Sequence, residues 1–238
     1  MEKKYTFEEF LRIIKMLRSE NGCPWDREQT HTSLKPCVVE EAAELVSAIR
    51  IYDKTGDPEN MQEELGDLLL QVVMHSEIAS EEGLFTMNDV IDYVAKKMIR
   101  RHPHVFGTAE AENSEQVLNN WEEIKKAEKE GKSWIESPLR EIPPELPALT
   151  RAVKVTKKVD KLYEKRYNYR ESLERLQEIT EKMKTFTPEP YDQDLSESIG
   201  ELLITVADIC RGYKLTPEQI LTDKIEDLID RYEPRGDF

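Results

Sequence analysis

The chain has 238 residues, 35% of them charged, and a formal net charge of −15. So acidic a chain is repelled by the phosphates of duplex nucleic acid and by an anionic membrane surface, so we expect neither as a partner. Heavy use of lysine and glutamate with only nine glycines favours helices over sheets, and the expected fold class is all-α.

Nothing in the sequence indicates secretion or membrane insertion. The amino-terminal stretch MEKKYTFEEF lacks the apolar core of a signal peptide, and no apolar run approaches the roughly 18 residues that a membrane span needs. The three cysteines are odd in number and lack zinc-site spacing, so we expect reduced thiols. We therefore expect a cytoplasmic protein.

Residues 6–19 are predicted to form the first helix, because Thr6 and Glu9 have the spacing of a capping box and apolar residues follow with helical periodicity. The helix should end at Asn21-Gly22. The loop GCPWDREQTH then leads into an acidic helix. Trp25 in this loop is, by itself, more typical of core packing than of ligand binding.

Two successive helical segments, VVEEAAELVSAI and EELGDLLLQVV, carry acidic residues on otherwise apolar surfaces: Glu40, Glu41 and Glu44 on the first, Glu64 and Asp67 on the second. At roughly 100° per residue, carboxylates three positions apart project about 60° from each other. The turn between the segments contains Gly56 and an Asp57-Pro58 helix start. An antiparallel hairpin would therefore bring the acidic pairs together within an apolar bundle.

Carboxylates gathered in a poorly solvated groove need a counter-charge, because their mutual repulsion raises their pKa values and opposes folding. Oxygen-only ligands favour Mg²⁺, Mn²⁺ or Ca²⁺ over zinc. The competing interpretation is a set of solvated glutamates on an acidic surface. The spacing alone leaves both interpretations open.

A basic cluster stands out near the end of a later helix: Lys96, Lys97, Arg100 and Arg101. Lys97 and Arg101 share a face at i, i+4. Ammonium and guanidinium groups suit phosphate oxygens, so the cluster is a candidate triphosphate clamp. The alternative is a solvated helix end, where the positive charges interact favourably with the negative end of the helix dipole.

The next predicted helix, VLNNWEEIKKAEK at 117–129, places Trp121 and Lys125 on one face. An indole can stack on a nucleobase, and the ammonium group can meet the base or a phosphate. Core packing of Trp121 is the alternative interpretation.

Proline marks the boundary between the two halves of the chain. The segment SPLREIPPELP, at 137–147, contains four prolines and is predicted to be an extended linker. The helical remainder contains SIGELLITVADI, which echoes LGDLLLQVVMHS and indicates an internal repeat. We therefore predict two tandem helical-bundle domains, 1–136 and 148–238, joined by this linker.

The second domain is predicted to be a degenerate copy without a catalytic centre. Aligning the two repeat segments puts Glu201 in the place of Asp67. The same alignment puts Ser198, a hydroxyl, in the place of Glu64. The preceding helix keeps Glu178-x-x-Glu181, so three of the four ligand positions remain acidic. Acidic residues lie between the lysine and arginine residues of the last helix, so no counterpart of the basic cluster is evident.

The acidic hairpin and its flanks resemble the MazG family of nucleoside triphosphate pyrophosphohydrolases. Glu40-Glu41-x-x-Glu44 is followed, after nineteen residues, by Glu64-x-x-Asp67. Four flanking segments agree in the same order: GCPWDREQTH, EEGLFTMNDV, KKMIRRHPHVFG and NWEEIKKAEK. The resemblance covers most of residues 7–135.

This resemblance implies a Mg²⁺-dependent enzyme, with Mn²⁺ as a substitute, that cleaves nucleoside triphosphates to nucleoside monophosphate and pyrophosphate. The implied role is broad-specificity control or house-cleaning of the nucleotide pool. The metal ligands implied are Glu41, Glu44, Glu64 and Asp67, with Glu40 or Glu41 activating water. The implied substrate contacts are Trp25, Lys97, Arg100, Arg101, Trp121 and Lys125.

Two further expectations concern assembly and the rival function. Helical hairpins that are apolar on both sides commonly complete a bundle by dimerising, so we expect a homodimer. The rival function is a non-catalytic helical scaffold or sensor that only binds metal or nucleotide. A complete carboxylate set with a nearby basic cluster favours the enzyme.

Overall fold

The computed structural model describes residues 3–109, 113–129, 132, 137–165, 167–186 and 192–233. In these ranges the regular structure is entirely helical, which confirms the all-α class predicted from composition. The chain divides into two compact units, Met1–Glu128 and Lys129–Phe238. None of the helices described combines the length and apolar character needed to cross a bilayer.

The first unit contains α1 (Phe7–Arg18), α2 (Pro24–Glu28), α3 (Lys35–Thr55), α4 (Glu59–Glu81), α5 (Met87–Arg101), α6 (Pro103–Phe106) and α7 (Ser114–Ala127). The predicted capping box starts α1: Thr6 Oγ1 accepts from the Glu9 amide, and the Glu9 carboxylate accepts from the Thr6 amide. Part of the predicted 22–31 loop is helical, because Pro24 sets the backbone angle of a first helical turn.

A short turn folds α3 back onto α4, as the sequence predicted. Gly56 ends α3 in the left-handed region, with φ of 74°, and its N–H donates to the Tyr52 carbonyl over 2.7 Å. Asp57 Oδ1 then accepts from the amide of Glu59, the first residue of α4, at 3.0 Å, whereas Pro58, predicted as the first helical residue, occupies the N-cap position. The two helices therefore pack along each other and place their acidic residues face to face.

The core of the first unit lies where α1 and the start of α3 pack on the carboxyl-terminal half of α4. Its buried members are Ile14, Leu34, Val73, Met74 and Ile78. The buried Arg18 joins three segments: its guanidinium donates to the Glu81 carboxylate at 2.9 and 2.7 Å and to the Gln29 carbonyl at 3.2 Å. The α2 segment is thereby anchored to the carboxyl-terminal end of α4.

The second unit contains α8 (Ala148–Leu162), α9 (Tyr169–Met183), α10 (Gln193–Gly212) and α11 (Pro217–Tyr232), with α10 packed on both α8 and α9. Segment 137–147 does not adopt the extended conformation predicted from its prolines. It forms turns in which the Glu141 amide donates to the Ser137 carbonyl, and Ile142 is buried. Proline suits turns as well as extended chain, because both accept its fixed φ.

Candidate active site

Three of the predicted metal ligands meet across the α3–α4 hairpin. One carboxylate oxygen from each of Glu41, Glu64 and Asp67 lies within 4.8 Å of the other two, and all three residues are half-buried. Glu64 and Asp67 share a face of α4 because they are three positions apart. Carboxylate oxygens are hard ligands, so this cluster could hold a divalent cation such as Mg²⁺.

Glu44 and Glu40 are exposed residues of α3 beside this cluster. The pKa of Glu44 is raised, first by partial desolvation and then by the charges of three carboxylates. Those carboxylates belong to Glu64, Glu41 and Glu40. Such repulsion is what a bound cation relieves, so the chemistry of these side chains fits a metal centre.

Two side-chain amides of α4 contact the cluster. Asn60 Nδ2 donates to Glu64 Oε1 at 3.0 Å. Gln71 Nε2 lies 3.4 Å from Glu41 Oε1, at the long end of a hydrogen bond. Both of these contacts come from neutral amides. Neutral amides leave the negative charge of the carboxylates in place, and a divalent cation could neutralise it.

The two arginines of the predicted basic cluster pair with a carboxylate that the sequence analysis did not identify. Glu128, immediately after α7, accepts from Arg100 Nε at 2.7 Å and from Arg101 Nε and Nη2 at 3.0 and 2.5 Å. The Arg101 and Glu128 side chains are only 14% and 13% exposed. Arg101 donates twice to Glu128 Oε2 and Arg100 donates once to Oε1, so the two arginines together fasten the end of α5 to the residue that follows α7.

Two cations lie over the ring of Trp121 on α7. The Arg101 guanidinium carbon is 5.5 Å from the Trp121 ring centroid, and Lys125 Nζ is 5.7 Å from it. The structure thus brings three predicted substrate contacts together. Lys97 instead stands over the ring of Tyr93, and Trp25 is 61% exposed on α2. No described contact joins Lys97 or Trp25 to the carboxylate cluster.

A histidine pair is a second feature that the sequence did not reveal. His31 and His75 are stacked, and their Nδ1 atoms lie 2.7 Å apart, so one ring donates to the other. Burial, and then the charge of His31, lowers the pKa of His75. The pair fastens the segment before α3 to α4. Its members are 44 positions apart, beyond the range of any helical periodicity.

The fold and the cluster define an all-α protein with a candidate centre for a hard divalent cation. Residues 29–106 match the MazG nucleotide pyrophosphohydrolase domain. The chain is 38% identical over 227 residues to the nucleoside triphosphate pyrophosphohydrolase/pyrophosphatase MazG of Thermotoga maritima, covering 95% of this chain and 84% of that protein. The chain belongs to the MazG family, which confirms the resemblance seen in its motifs.

Two other relatives extend this comparison. The nucleoside triphosphate pyrophosphohydrolase of Escherichia coli K12 is 38% identical over 240 residues, covering 94% of this chain and 84% of that protein. The uncharacterized protein YabN of Bacillus subtilis is 41% identical over 219 residues. The match covers 92% of this chain but only 44% of YabN, so the chain spans less than half the length of that relative.

The Glu128 pairing predicts a local dependence on acid. Hydrogen bonding from Arg101 lowers the pKa of Glu128 from 4.5 to about 2. A carboxylate with a depressed folded-state pKa stabilises the fold fully above its unfolded value, and this contribution is lost as pH falls through the folded value. We expect the urea concentration that half-unfolds α7 to decrease as the pH is lowered from about 4.5 to 2. Fluorescence of Trp121 measures this unfolding in a protein whose Trp25 and Trp134 are replaced by Phe.

The control is Glu128→Gln in the same background. It should unfold at lower urea than the parent protein at pH 6, and the difference should shrink as the pH falls and disappear only below about pH 2, where Glu128 of the folded protein is also protonated. A difference that stays constant between these pH values would show that ionisation of Glu128 does not hold α7.

Proposed function

We propose that this chain is a Mg²⁺-dependent nucleoside triphosphate pyrophosphohydrolase that cleaves between the α- and β-phosphates. The observation that carries the proposal is the carboxylate cluster of Glu41, Glu64 and Asp67 across the α3–α4 hairpin. The names of the relatives from Thermotoga maritima and Escherichia coli support the same reaction. The products are a nucleoside monophosphate and pyrophosphate.

The acidic residues of the α3–α4 hairpin have two proposed roles, metal binding and activation of water. Glu41, Glu44, Glu64 and Asp67 hold the metal, for which Mn²⁺ can substitute because it takes the same oxygen ligands. When bound, Mg²⁺ neutralises phosphate charge and polarises the α–β linkage. Glu40 and Glu41 are the two candidates for the base that accepts a proton from the attacking water. The reaction needs no covalent intermediate.

The basic and aromatic side chains bind the nucleotide. Arg100 and Arg101 exchange the Glu128 carboxylate for phosphate oxygens, which present the same charge and geometry to a guanidinium. Trp121 and Lys125 receive the base, while Lys97 and Trp25 complete the substrate contacts. Stacking on an indole is tolerant of base identity, which supports broad specificity and a role in controlling the cytoplasmic nucleotide pool.

A homodimer is the proposed assembly. Apolar side chains of the hairpin are more than half exposed in the single chain, among them Val39, Val46 and Leu65. Exposure of several large apolar side chains is typical of surfaces that another protein covers. A second copy would extend each hairpin into a larger bundle.

Product analysis tests the reaction. The full chain is incubated with Mg²⁺ and ribo- and deoxyribonucleoside triphosphates that carry a label on the γ-phosphate. The label is expected in pyrophosphate. Release as orthophosphate would contradict cleavage between the α- and β-phosphates, and binding without any product would favour the sensor.

Substrate contacts should separate from metal binding. Lys97→Ala and Arg101→Ala should each reduce kcat/KM for triphosphate by about 10-fold or more, because each removes a positive charge from the phosphates. Trp121→Ala should mainly raise KM, since stacking is felt in the ground state and the transition state alike. Steady-state kinetics measures both effects.

Lys96→Ala is the matched control, because Lys96 pairs with Asp92 one turn away on an exposed face of α5. It should leave kcat/KM unchanged. Mg²⁺ affinity measured by calorimetry should remain at the wild-type value in all four variants. A large loss of Mg²⁺ affinity in Arg101→Ala would assign Arg101 a structural role instead.

A further inference from the structure

The Glu128 carboxylate uses the same guanidinium donors that the proposed function assigns to phosphate. Arg100 Nε donates to Oε1 at 2.7 Å, and Arg101 Nε and Nη2 both donate to Oε2. Guanidinium groups bind carboxylate and phosphate oxygens through the same kind of charge-assisted hydrogen bond. The carboxylate therefore occupies donors that a phosphate group on these two arginines would need.

The two arginines differ in how much of each side chain faces solvent. The side chain of Arg100 is 51% exposed, so an incoming phosphate can reach it while Glu128 is in place. The side chains of Arg101 and Glu128 are only 14% and 13% exposed, so little of either group faces solvent while they are paired. Full engagement of Arg101 by a phosphate thus requires Glu128 to leave.

Glu128 is a charged group at an unfavourable place on its helix. Its amide donates to the Ile124 carbonyl at 3.0 Å, so it continues the last turn of α7. A carboxylate at the carboxyl-terminal end of a helix meets the negative end of the helix dipole. Hydrogen bonding from Arg101 lowers the pKa of Glu128 to about 2, so the carboxylate is ionised at neutral pH. The two arginines, rather than the helix, stabilise this charge.

We infer that Glu128 is an internal competitor for the phosphate site, which lowers the affinity of the enzyme for the pyrophosphate it produces. The inference rests on the phosphate contacts in the proposed function. Because Glu128 leaves the arginines free for only a fraction of the time, the apparent affinity for a phosphate anion is reduced by that fraction. A triphosphate is also held by its base on Trp121 and Lys125, whereas pyrophosphate has only its charged oxygens. Pyrophosphate is therefore the anion that the competition leaves weakly bound.

A positioning role for Glu128 predicts the opposite result. If the carboxylate only holds the two guanidinium groups in the geometry that phosphate needs, its loss leaves both free to move and weakens pyrophosphate binding. If the carboxylate competes with phosphate, its loss frees the donors and strengthens pyrophosphate binding. The direction of the change in affinity separates the two roles.

Calorimetric titration of the full chain with inorganic pyrophosphate in the presence of Mg²⁺ measures this direction. Glu128→Gln keeps the shape of the side chain but removes its charge, and it is expected to lower the pyrophosphate dissociation constant by about 10-fold. Pyrophosphate should inhibit triphosphate hydrolysis by this variant at correspondingly lower concentrations. Unchanged or weaker pyrophosphate binding would overturn the inference. Glu128→Asp keeps the charge but withdraws it from the arginines by one methylene, so it should show a smaller gain and serves if the glutamine variant does not fold.

Glu123→Gln is the matched control, because Glu123 is an exposed carboxylate of α7 and its loss changes the net charge by the same amount. This variant should bind pyrophosphate like the wild type. An equal gain in both variants would overturn the inference, since the effect would then be one of net charge. In the Arg101→Ala background, most of the gain from Glu128→Gln should disappear, because the competition needs the shared arginine. A gain that persists in full would contradict competition at Arg101.

The outcome for Glu128 is distinguishable from the outcome for the reaction. Tighter pyrophosphate binding by Glu128→Gln, in a protein that hydrolyses no triphosphate, would support competition at the phosphate site and overturn the proposed reaction. Hydrolysis to pyrophosphate together with an unchanged pyrophosphate dissociation constant in Glu128→Gln would support the reaction and overturn the inference.

Discussion

Turnover of nucleoside triphosphate is expected to fall by at least about 10²-fold when any one of the proposed ligands is replaced by its amide: Glu41→Gln, Glu44→Gln, Glu64→Gln or Asp67→Asn. An amide keeps the shape of the side chain but removes a charge that the cation requires. Pyrophosphate release at saturating Mg²⁺ measures the effect. Near-normal turnover in two or more of these variants would contradict the ligand assignment.

Glu63→Gln is the control for this series, because Glu63 is an exposed carboxylate next to Glu64 on α4. It should keep wild-type turnover. The metal-free Tm provides an independent readout. Glu41, Glu64 and Asp67 lie close together and the pKa of Glu44 is raised, so repulsion among these carboxylates destabilises the metal-free protein. Each ligand variant should equal or exceed the wild-type Tm without metal, and should gain less from added Mg²⁺.

Local rules explain why the hairpin could be predicted from the sequence. Glu64 and Asp67 share a helix face because of their spacing, and Gly56 and Asp57 set the turn that folds α3 onto α4. The tight group of three ligands then follows from the register of two adjacent helices. Each step depends on residues close together in sequence.

The contacts that sequence reasoning missed are long-range pairings. Glu128 meets Arg101 across 27 positions, and His31 meets His75 across 44. Periodicity reports which face of one helix is buried, but it does not report which distant side chain that face meets. Glu128 appeared as one acid among many on a charged helix. Its pairing with Arg100 and Arg101 depends on how α5 packs against α7.

Two carboxylates of the second unit form ion pairs with basic residues of the same unit. Glu201, aligned with Asp67, pairs with Arg175 at 3.2 Å. Glu181 of α9 pairs with Lys184 at 2.7 Å. Ser198, aligned with Glu64, is buried and donates to the Asp194 carbonyl at 2.8 Å. Within the described ranges, only the first unit has three potential ligands close enough to share a cation.

These pairings support a second unit that keeps its helices without a metal centre of its own. In the full chain, the triple variant Glu178→Gln, Glu181→Gln, Glu201→Gln is therefore expected to keep wild-type turnover. The matched change in the first unit, Glu64→Gln alone, should remove at least about 99% of turnover, as the 10²-fold loss expected for a metal ligand requires. Pyrophosphate release by the two proteins under identical conditions makes the comparison.

Separate fragments test the same division with a larger expected difference. Residues 129–238 include Lys129 and Lys158, which both pair with Glu141, whereas a fragment beginning at residue 145 would lose that carboxylate. We expect fragment 129–238 to be helical by circular dichroism and to hydrolyse no triphosphate. Fragment 1–136 retains Glu128 for Arg101 and should keep the reaction, with a lower Tm than the full chain. Robust Mg²⁺-dependent turnover by 129–238 would refute the assignment. Ser198 and Glu201 would then have to bind a cation, although Ser198 donates to the Asp194 carbonyl and Glu201 pairs with Arg175.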